Sequence, residues 1–411
     1  MQKFEKHSPV VVTEVTTKHE LRQFMQYPNR LYADNPNYIP SFYGDDLSDW
    51  TPGKNPAFDY CEARCWLARR DGEIVGRIGA ILSHKANDKF GTHRMRFSQV
   101  DFVDDSEVSA ALFGTVERWA REKGCDQVHG PLGFTDMDRE GMLVEGFDRR
   151  SLFFTNYNAP YYLEHLTRLG YRKDVDWIEY RITVPEPGGA EAERLHKLSE
   201  FILKRKHLHV ATVHHKSEYG PFVRQVFELV NAAYAPLYGV VELSDEQIER
   251  YANKFIPLVD PDFVCFVVDE QDQLVAFGVT ALDPSVALKH SDGRLFPFGW
   301  AGVLNDLHHS DTLIMLLTAV RPDLQTEGIN AVMMDHVCQS CNRHGVRFAE
   351  TGPMLELNDH ILAQWKRLEK EQHKRRRCFI KDLDHGINAA NAAAAAQAEA
   401  PEAAPAAKSA E

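Results

Sequence analysis

Apolar residues recur along this chain with two periods, and stretches of the two kinds alternate. Near the N-terminus "VVVTEV" reads as a strand, and "KHELRQFMQYPNRLYAD" follows with helical spacing. "RCWLARRDG" and "EIVGRIGAILS" are two strands, joined at Asp71-Gly72, a dipeptide suited to a two-residue hairpin turn. Next come a strand, "RMRFSQVDFVDD", and a helix, "SEVSAALFGTVERWAREKG", capped by Ser106 and stopped by Gly124. A strand "DQVHGPL", a helix "APYYLEHLTRLGY" ending at Gly170 and a strand "DVDWIEYRITV" complete the first half.

Two prolines and two glycines in "VPEPGGAEAE" then break the pattern, and the helix-period stretch "AERLHKLSEFILKRK" follows. Beyond it the order repeats. "HVATV" is a strand; "EYGPFVRQVFELVNAAYAPLYG" and "SDEQIERYANKFIPLV" are helices, the second capped by Ser244; "FVCFVVDEQDQLVAFGVTAL" is a hairpin. "TLIMLLTAV", "RFAETGP" and "KRRRCFIKDL" are strands, separated by the helices "GINAVMMDHVCQSCNRHG" and "LNDHILAQWKRL". A shared order at half the chain length indicates a duplication. The order also indicates an α/β fold with a mixed sheet of the α+β kind, not a regular parallel array. The expected organisation is a first domain over residues 1–184, a linking helix over 185–206, a second domain over 207–386, and a disordered Ala/Glu/Pro-rich tail over 387–411.

Composition narrows the class. The chain has 411 residues, 44% hydrophobic and 26% charged, which suits a globular protein with real cores. Its formal charge of -13 argues against a nucleic-acid partner. Seven cysteines are scattered; Cys61 and Cys65, and Cys338 and Cys341, are close pairs without a matching second ligand pair, so reduced thiols and no metal are expected. No stretch is apolar for long enough to cross a bilayer, and the N-terminus lacks a signal-like apolar run. The expected location is the cytoplasm, with peripheral contact at the inner membrane.

One turn carries chemistry. Between the buried strand ending at Val320 and the next helix lie Arg321, Gln325, Gly328 and Asn330. The first amides of a helix lack internal partners and sit at its positive end, which suits phosphate. Gly328 lets an anion approach the backbone, Gln325 offers a neutral donor and Arg321 a charged one.

That turn, Gln325-Thr326-Glu327-Gly328-Ile329-Asn330, resembles the signature Q/R-x-x-G-x-G/A of the GCN5-related N-acetyltransferase (GNAT) superfamily, with Asn330 in place of the last small residue. The resemblance implies that the turn binds the pyrophosphate of coenzyme A and that Thr318, Ala319 and Val320 of the preceding strand pair with the pantetheine. "ETGPMLELNDHILAQWKRL", with Glu356 and Asn358, resembles a later strand and helix of that superfamily. So does "TNYNAPYYLEHLTRLGY" of the first half, with Asn158, Tyr161 and Gly170-Tyr171. The implied architecture is two tandem GNAT-like domains. "GPLGFTDMDREGMLVEGFD" and "FPFGW", with Trp300, are similar to segments of a two-domain bacterial acyl-CoA N-acyltransferase-like family, and the resemblance extends to bacterial ceramide synthases. At the equivalent turn the first half reads "VDFVDDSEVSAALF", without glycine and with Asp104, Asp105 and Glu107. Acids there would repel a pyrophosphate, so one coenzyme site is expected, in the second half.

Forming an amide from a thioester requires positioning, an oxyanion donor and a base for the amine. Glu350 is the leading candidate base, followed by Glu356 and Asp306; Tyr157 and Tyr161 are candidates to protonate the leaving thiolate. His308 and His309 are further candidate bases or a surface pair. Asp136, Asp138 and Glu140 either hold a cationic amine or form a solvated loop. The aromatic segment "LKHSDGRLFPFGWAGVLNDLHHSDTLIMLL" is either a domain interface or a wall for a long acyl chain facing a membrane. The expected donor is acyl-CoA or an acyl carrier protein thioester, and the acceptor an amine such as a sphingoid base. A coenzyme-sensing protein without turnover and an aminoacyl-tRNA-dependent transferase are the competing readings.

Overall fold

The computed structural model describes residues 8–383, so the expected tail lies outside the described residues. In the first half the order is β1 (Val11–Glu14), α1 (Lys18–Leu31), α2 (Tyr43–Asp49), β2 (Cys61–Arg70), β3 (Glu73–Ser83), α3 (His84–Phe90), β4 (Arg94–Phe102), α4 (Ser106–Glu122), β5 (Gln127–Gly130), β6 (Met142–Glu145), α5 (Tyr161–Arg168) and β7 (Arg172–Thr183). The second half has α6 (Ala190–Lys206), β8 (His209–Val210), α7 (Gly220–Tyr234), α8 (Asp245–Phe255), β9 (Val264–Val268), β10 (Leu274–Leu282), α9 (Ser285–His290), α10 (Gly299–His309), β11 (Thr312–Val320), α11 (Asn330–His344), β12 (Phe348–Glu350), β13 (Met354–Leu355), α12 (Asp359–Ala363) and β14 (Lys370–Asp382).

Local signals explain most boundaries. Asp71 and Gly72 both take positive φ, 52° and 85°, as the tight β2–β3 turn requires. Ser244 caps α8 through a reciprocal capping box with Gln247. The cap of α4 is Asp105 rather than Ser106: its carboxylate accepts from the amides of Glu107 and Val108. The expected helix after Asn358 is only Asp359–Ala363, because the chain turns to bury Trp365 against Met354.

All these strands form one sheet, in the order β1-β2-β3-β4-β5-β14-β7-β12-β11-β10-β9-β8, with β13 joined to β7 and β6 to β14. The two halves therefore share their last strands. β14, the end of the second half, lies between β5 and β7; β7, the end of the first half, lies between β14 and β12. The two run antiparallel, from Lys370 opposite Ile182 to Ile380 opposite Arg172. Residue 184 marks the repeat in sequence, but no gap in the sheet. The expected linking helix is also part of the second core: Leu195 and Ile202 of α6 are buried there with Ile329, Val332 and Cys338.

The exchange buries charge at the middle of the sheet. Lys374 and Arg376 of β14 are buried, facing Glu179 of β7 and Glu350 of β12. Burial alone would raise the Glu179 carboxyl, yet Arg376 and Lys374 hold it at about 2. Such a set is tolerated only when every charge has a partner.

Candidate functional site

β11 and β12 pair in parallel for three residues only, ending with Ile314 opposite Glu350. The chain then diverges: β13 joins β7, while β11 runs on to Val320 held by β10 alone. The free edge of β11 opens on a cleft of about 750 Å³ lined by Thr318, Asn330, Met333, Val337, Ala349 and Trp365 among mostly apolar residues. Within β11, Leu317 faces Val279 and Met315 faces Thr280, so Leu316 has no partner and forms a bulge. A bulge re-aims backbone amides. Tyr234 of α7 donates to the Thr318 carbonyl at 2.8 Å.

The turn after β11 matches the anion-site expectation in part. Gly328 has φ of 81°, the left-handed region that favours glycine, and a Cβ there would stand 3.2 Å from the end of the Ile202 side chain, a contact that side chain would have to yield. Among the described residues, the amides of Gly328, Ile329 and Asn330 donate no hydrogen bond, and no side chain caps α11. The side chains are less available than the sequence implies. Arg321 pairs with Asp323 at 2.8 Å, Gln325 donates back to the Val320 carbonyl at 3.3 Å, and the Ile329 side chain is core. A second cation, Lys206 at the end of α6, reaches the turn as well, and it too is paired, 2.6 Å from Glu327. Sequence spacing could not reveal it, since more than a hundred residues separate it from the turn.

The first half repeats this geometry and closes it. β4 and β5 also pair for three residues, and β4 carries a bulge at Gln99, which has φ of 46°. But Leu132 donates to the Phe97 carbonyl, and the Phe102 amide and carbonyl bond to the hydroxyls of Tyr162 and Tyr161. His165 bridges Ser109 at 2.8 Å and Asp104 at 2.9 Å, tying α5 to α4. At the head of α4 Arg70 reaches both Asp105 and Glu107, and that contact holds the Asp105 carboxyl below its ordinary range. Strand edge and helix head are both occupied by the chain's own groups.

Adjacent strand residues point to opposite faces. Ala349 lines the cleft, so Glu350 faces the other side of the sheet. There its carboxylate lies 3.2 Å from Lys374 Nζ, which also donates to the Arg150 carbonyl at 3.0 Å. His373 stands 3.9 Å from Glu350; burial, then the neighbouring Lys374, pushes its imidazole down to about 4. The loop that carries Arg150 continues to Phe153 and Phe154, which line a second cavity. Asp45, Asp46, Asp49 and Asp138 line it opposite Arg139 and Lys254. Burial pushes the Asp138 and Asp136 carboxyls up to about 6. Asp138 accepts from the amides of Phe134 and Thr135. Of the three acids expected to hold an amine, only Asp138 lines this cavity.

Several expected residues serve elsewhere. Tyr157 donates to the Phe147 carbonyl within a first-half aromatic cluster, and Tyr161 is bound to Phe102, so neither hydroxyl reaches the cleft. Glu356 pairs with Arg375 of β14 and Lys173 of β7. Asp306 caps α9 at the Ala287 amide, and Asn358 caps α12 at the Ile361 amide. Trp300 lies on the surface and lines neither cavity; His308 and His309 bond to carbonyls of their own helix. All seven cysteines are buried and unpaired. His129, Asp174 and Cys378 converge as metal ligands do, but the Tyr238 hydroxyl stands among them, 3.0 Å from His129 and 2.5 Å from Asp174.

No family model matches the chain. It is 27% identical over 379 residues to protein YghO of Escherichia coli (strain K12), covering 91% of this chain and 95% of that one. It is 28% identical over 300 residues to a bacterial ceramide synthase of Caulobacter vibrioides (strain NA1000 / CB15N), covering 71% of this chain and 75% of that one. Among solved structures, a tandem GNAT protein from the clavulanic acid biosynthesis pathway superposes with a TM-score of 0.52 at 14% identity, covering 91% of this chain and 99% of the other. A GCN5-related N-acetyltransferase from Sphaerobacter thermophilus gives 0.50 at 13% identity, over 92% and 97%. The chain has the tandem GNAT fold.

Proposed function

We propose that the chain is an N-acyltransferase with one thioester site, in its second half. The observation that carries this is the contrast between halves: among the described residues α11 leaves three amides free and the edge of β11 carries only the Tyr234 hydroxyl, on the Thr318 carbonyl, whereas β4 and α4 have theirs filled. In this reading the amides of Gly328, Ile329 and Asn330 take the pyrophosphate of coenzyme A, and Lys206 can exchange its Glu327 partner for a phosphate. The pantetheine lies along Thr318, Ala319 and Val320. An amide released by the bulge at Leu316 polarises the thioester carbonyl.

The amine enters from the opposite face, through the cavity in which Asp138 stands beside aspartates already paired with Arg139, Arg250 and Lys254. Glu350 first takes one proton from the ammonium, directly or through water, which frees the nitrogen lone pair. The nitrogen attacks the carbonyl carbon, the carbon–sulfur bond breaks, the thiolate leaves with a proton from Tyr234, and the second proton shed by the new amide nitrogen restores that phenol. Tyr234 supplies the thiolate's proton: burial pushes its phenol up to about 12, so it is protonated and able to donate. The apolar cleft and the Caulobacter relative support a long acyl chain and a sphingoid-type amine.

Incubation of the full chain with acyl-CoAs of increasing length and a panel of amines, with thiol release as the readout, tests the reading. Amine-dependent release supports it. Absence of release with every pair sinks it. A non-catalytic coenzyme-binding role has one observation in its favour, the ion pair that engages Glu350. In that case coenzyme binds without turnover.

A further inference from the structure

Five of the large apolar side chains left exposed fall between Leu295 and Leu304. Phe296 and Phe298 are 83% and 80% exposed, and Trp300 and Leu304 are about half exposed on one side of α10. The adjoining strip of α10 is packed. Val303 and Leu307 join a cluster with Phe153, Phe154, Ile314 and the bulge residue Leu316. One short segment therefore joins an exposed aromatic tip to the acceptor side of β11. Of the two sequence readings of the segment, its inner contacts match the interface between halves, and its tip is exposed.

We infer that this tip is a membrane-docking element that inserts Phe296 and Phe298 into the interfacial layer of a lipid bilayer. Two observations favour lipid over protein. The rings flank Pro297 on a loop, as separate wedges rather than a flat patch. The segment from Ser285 to His309 is formally neutral, Lys289 and Arg294 against Asp292 and Asp306, in a chain of net charge -13, so this face is not repelled by an anionic surface. The same segment packs inward, through Val303 and Leu307, on Phe153 and Phe154, which line the second cavity, so a bilayer at the tip lies on the proposed acceptor side. Aromatic rings suit the boundary between headgroups and acyl chains. Among the described residues no helix is long and apolar enough to cross a membrane, so docking is peripheral. The consequence for substrate, that an amphiphilic amine arrives from the bilayer, rests on the acyltransferase reading; the docking itself does not.

The test is sedimentation of the full chain with phosphatidylethanolamine–phosphatidylglycerol vesicles, without substrate, beside the double variant Phe296→Ser/Phe298→Ser. Both positions are exposed, so the variant should fold, and an unchanged circular-dichroism melt checks this. The expected result is partition of the parent protein and a loss of roughly a hundredfold in the variant, about tenfold for each ring withdrawn from the bilayer. A parent protein that stays in the supernatant, or a variant that partitions equally, overturns the inference. So does a parent dimer, seen by light scattering, that the variant converts to monomer without any vesicle binding: the tip would then join two copies. Coenzyme titration and transfer to a water-soluble amine, run on both proteins, separate this result from failure of the acyltransferase reading.

Discussion

Tyr234 holds the Thr318 carbonyl at 2.8 Å, and so fixes a hydroxyl on the strand edge where a thioester would lie. Tyr234 is far from Thr318 in sequence and belongs to a helix whose pattern reads only as amphipathic. If it protonates the leaving thiolate, Tyr234→Phe should lower kcat about a hundredfold while coenzyme affinity changes little. The deficit should shrink for thioesters of more acidic thiols, which need no proton to leave. An equal deficit for all leaving groups would assign Tyr234 to strand support alone.

Gly328 combines positive φ with close contact to Ile202. Gly328→Asp should weaken coenzyme binding roughly a hundredfold, because like-charge contact costs several kcal/mol. Gly328→Ala tests the strain without the charge, and calorimetry should rank it between the parent and the aspartate variant.

Lys374 is the cation shared by Glu179 and Glu350. Lys374→Met leaves buried carboxylates short of a partner and should destabilise the fold by about 3–5 kcal/mol. Adding Glu350→Gln should restore part of that loss in a denaturant titration. Additive losses would show that the pair is not coupled.

His373 is buried neutral, its imidazole lowered from 6.5 to about 4. The unfolded chain takes up this proton below pH 6.5, the folded chain only near pH 4. Between those values the unfolded state binds more protons, so stability falls as pH falls. His373→Gln should therefore flatten the acid limb of a stability profile between pH 6.5 and 4. An unchanged limb would assign acid sensitivity to other groups.

The sequence made local features legible because local chemistry decides them. Asp71-Gly72 dictates its turn, and the free head of α11 follows from a turn without a capping side chain. The closed first half was anticipated from Asp105 and Glu107, but its actual seals, Tyr161 and Tyr162 on Phe102, depend on packing of α5 against β4. The exchange of β7 and β14 has no local signature, because strand pairing across the whole chain sets it. β14 begins four residues earlier than expected, since Lys370, Glu371 and Gln372 look like a polar loop until they pair with Ile182, Arg181 and Tyr180 of β7. Glu356, Asp306 and Asn358 were plausible by residue type, and each is held by a partner that spacing does not specify.

The central claim is a single coenzyme site in the second half, and calorimetric titration of the full chain with coenzyme A tests it most directly. The account predicts one site per chain, lost in Gly328→Asp and unaffected by Asp105→Asn at the head of α4. Two sites, or binding that survives Gly328→Asp and disappears with Asp105→Asn, would contradict it.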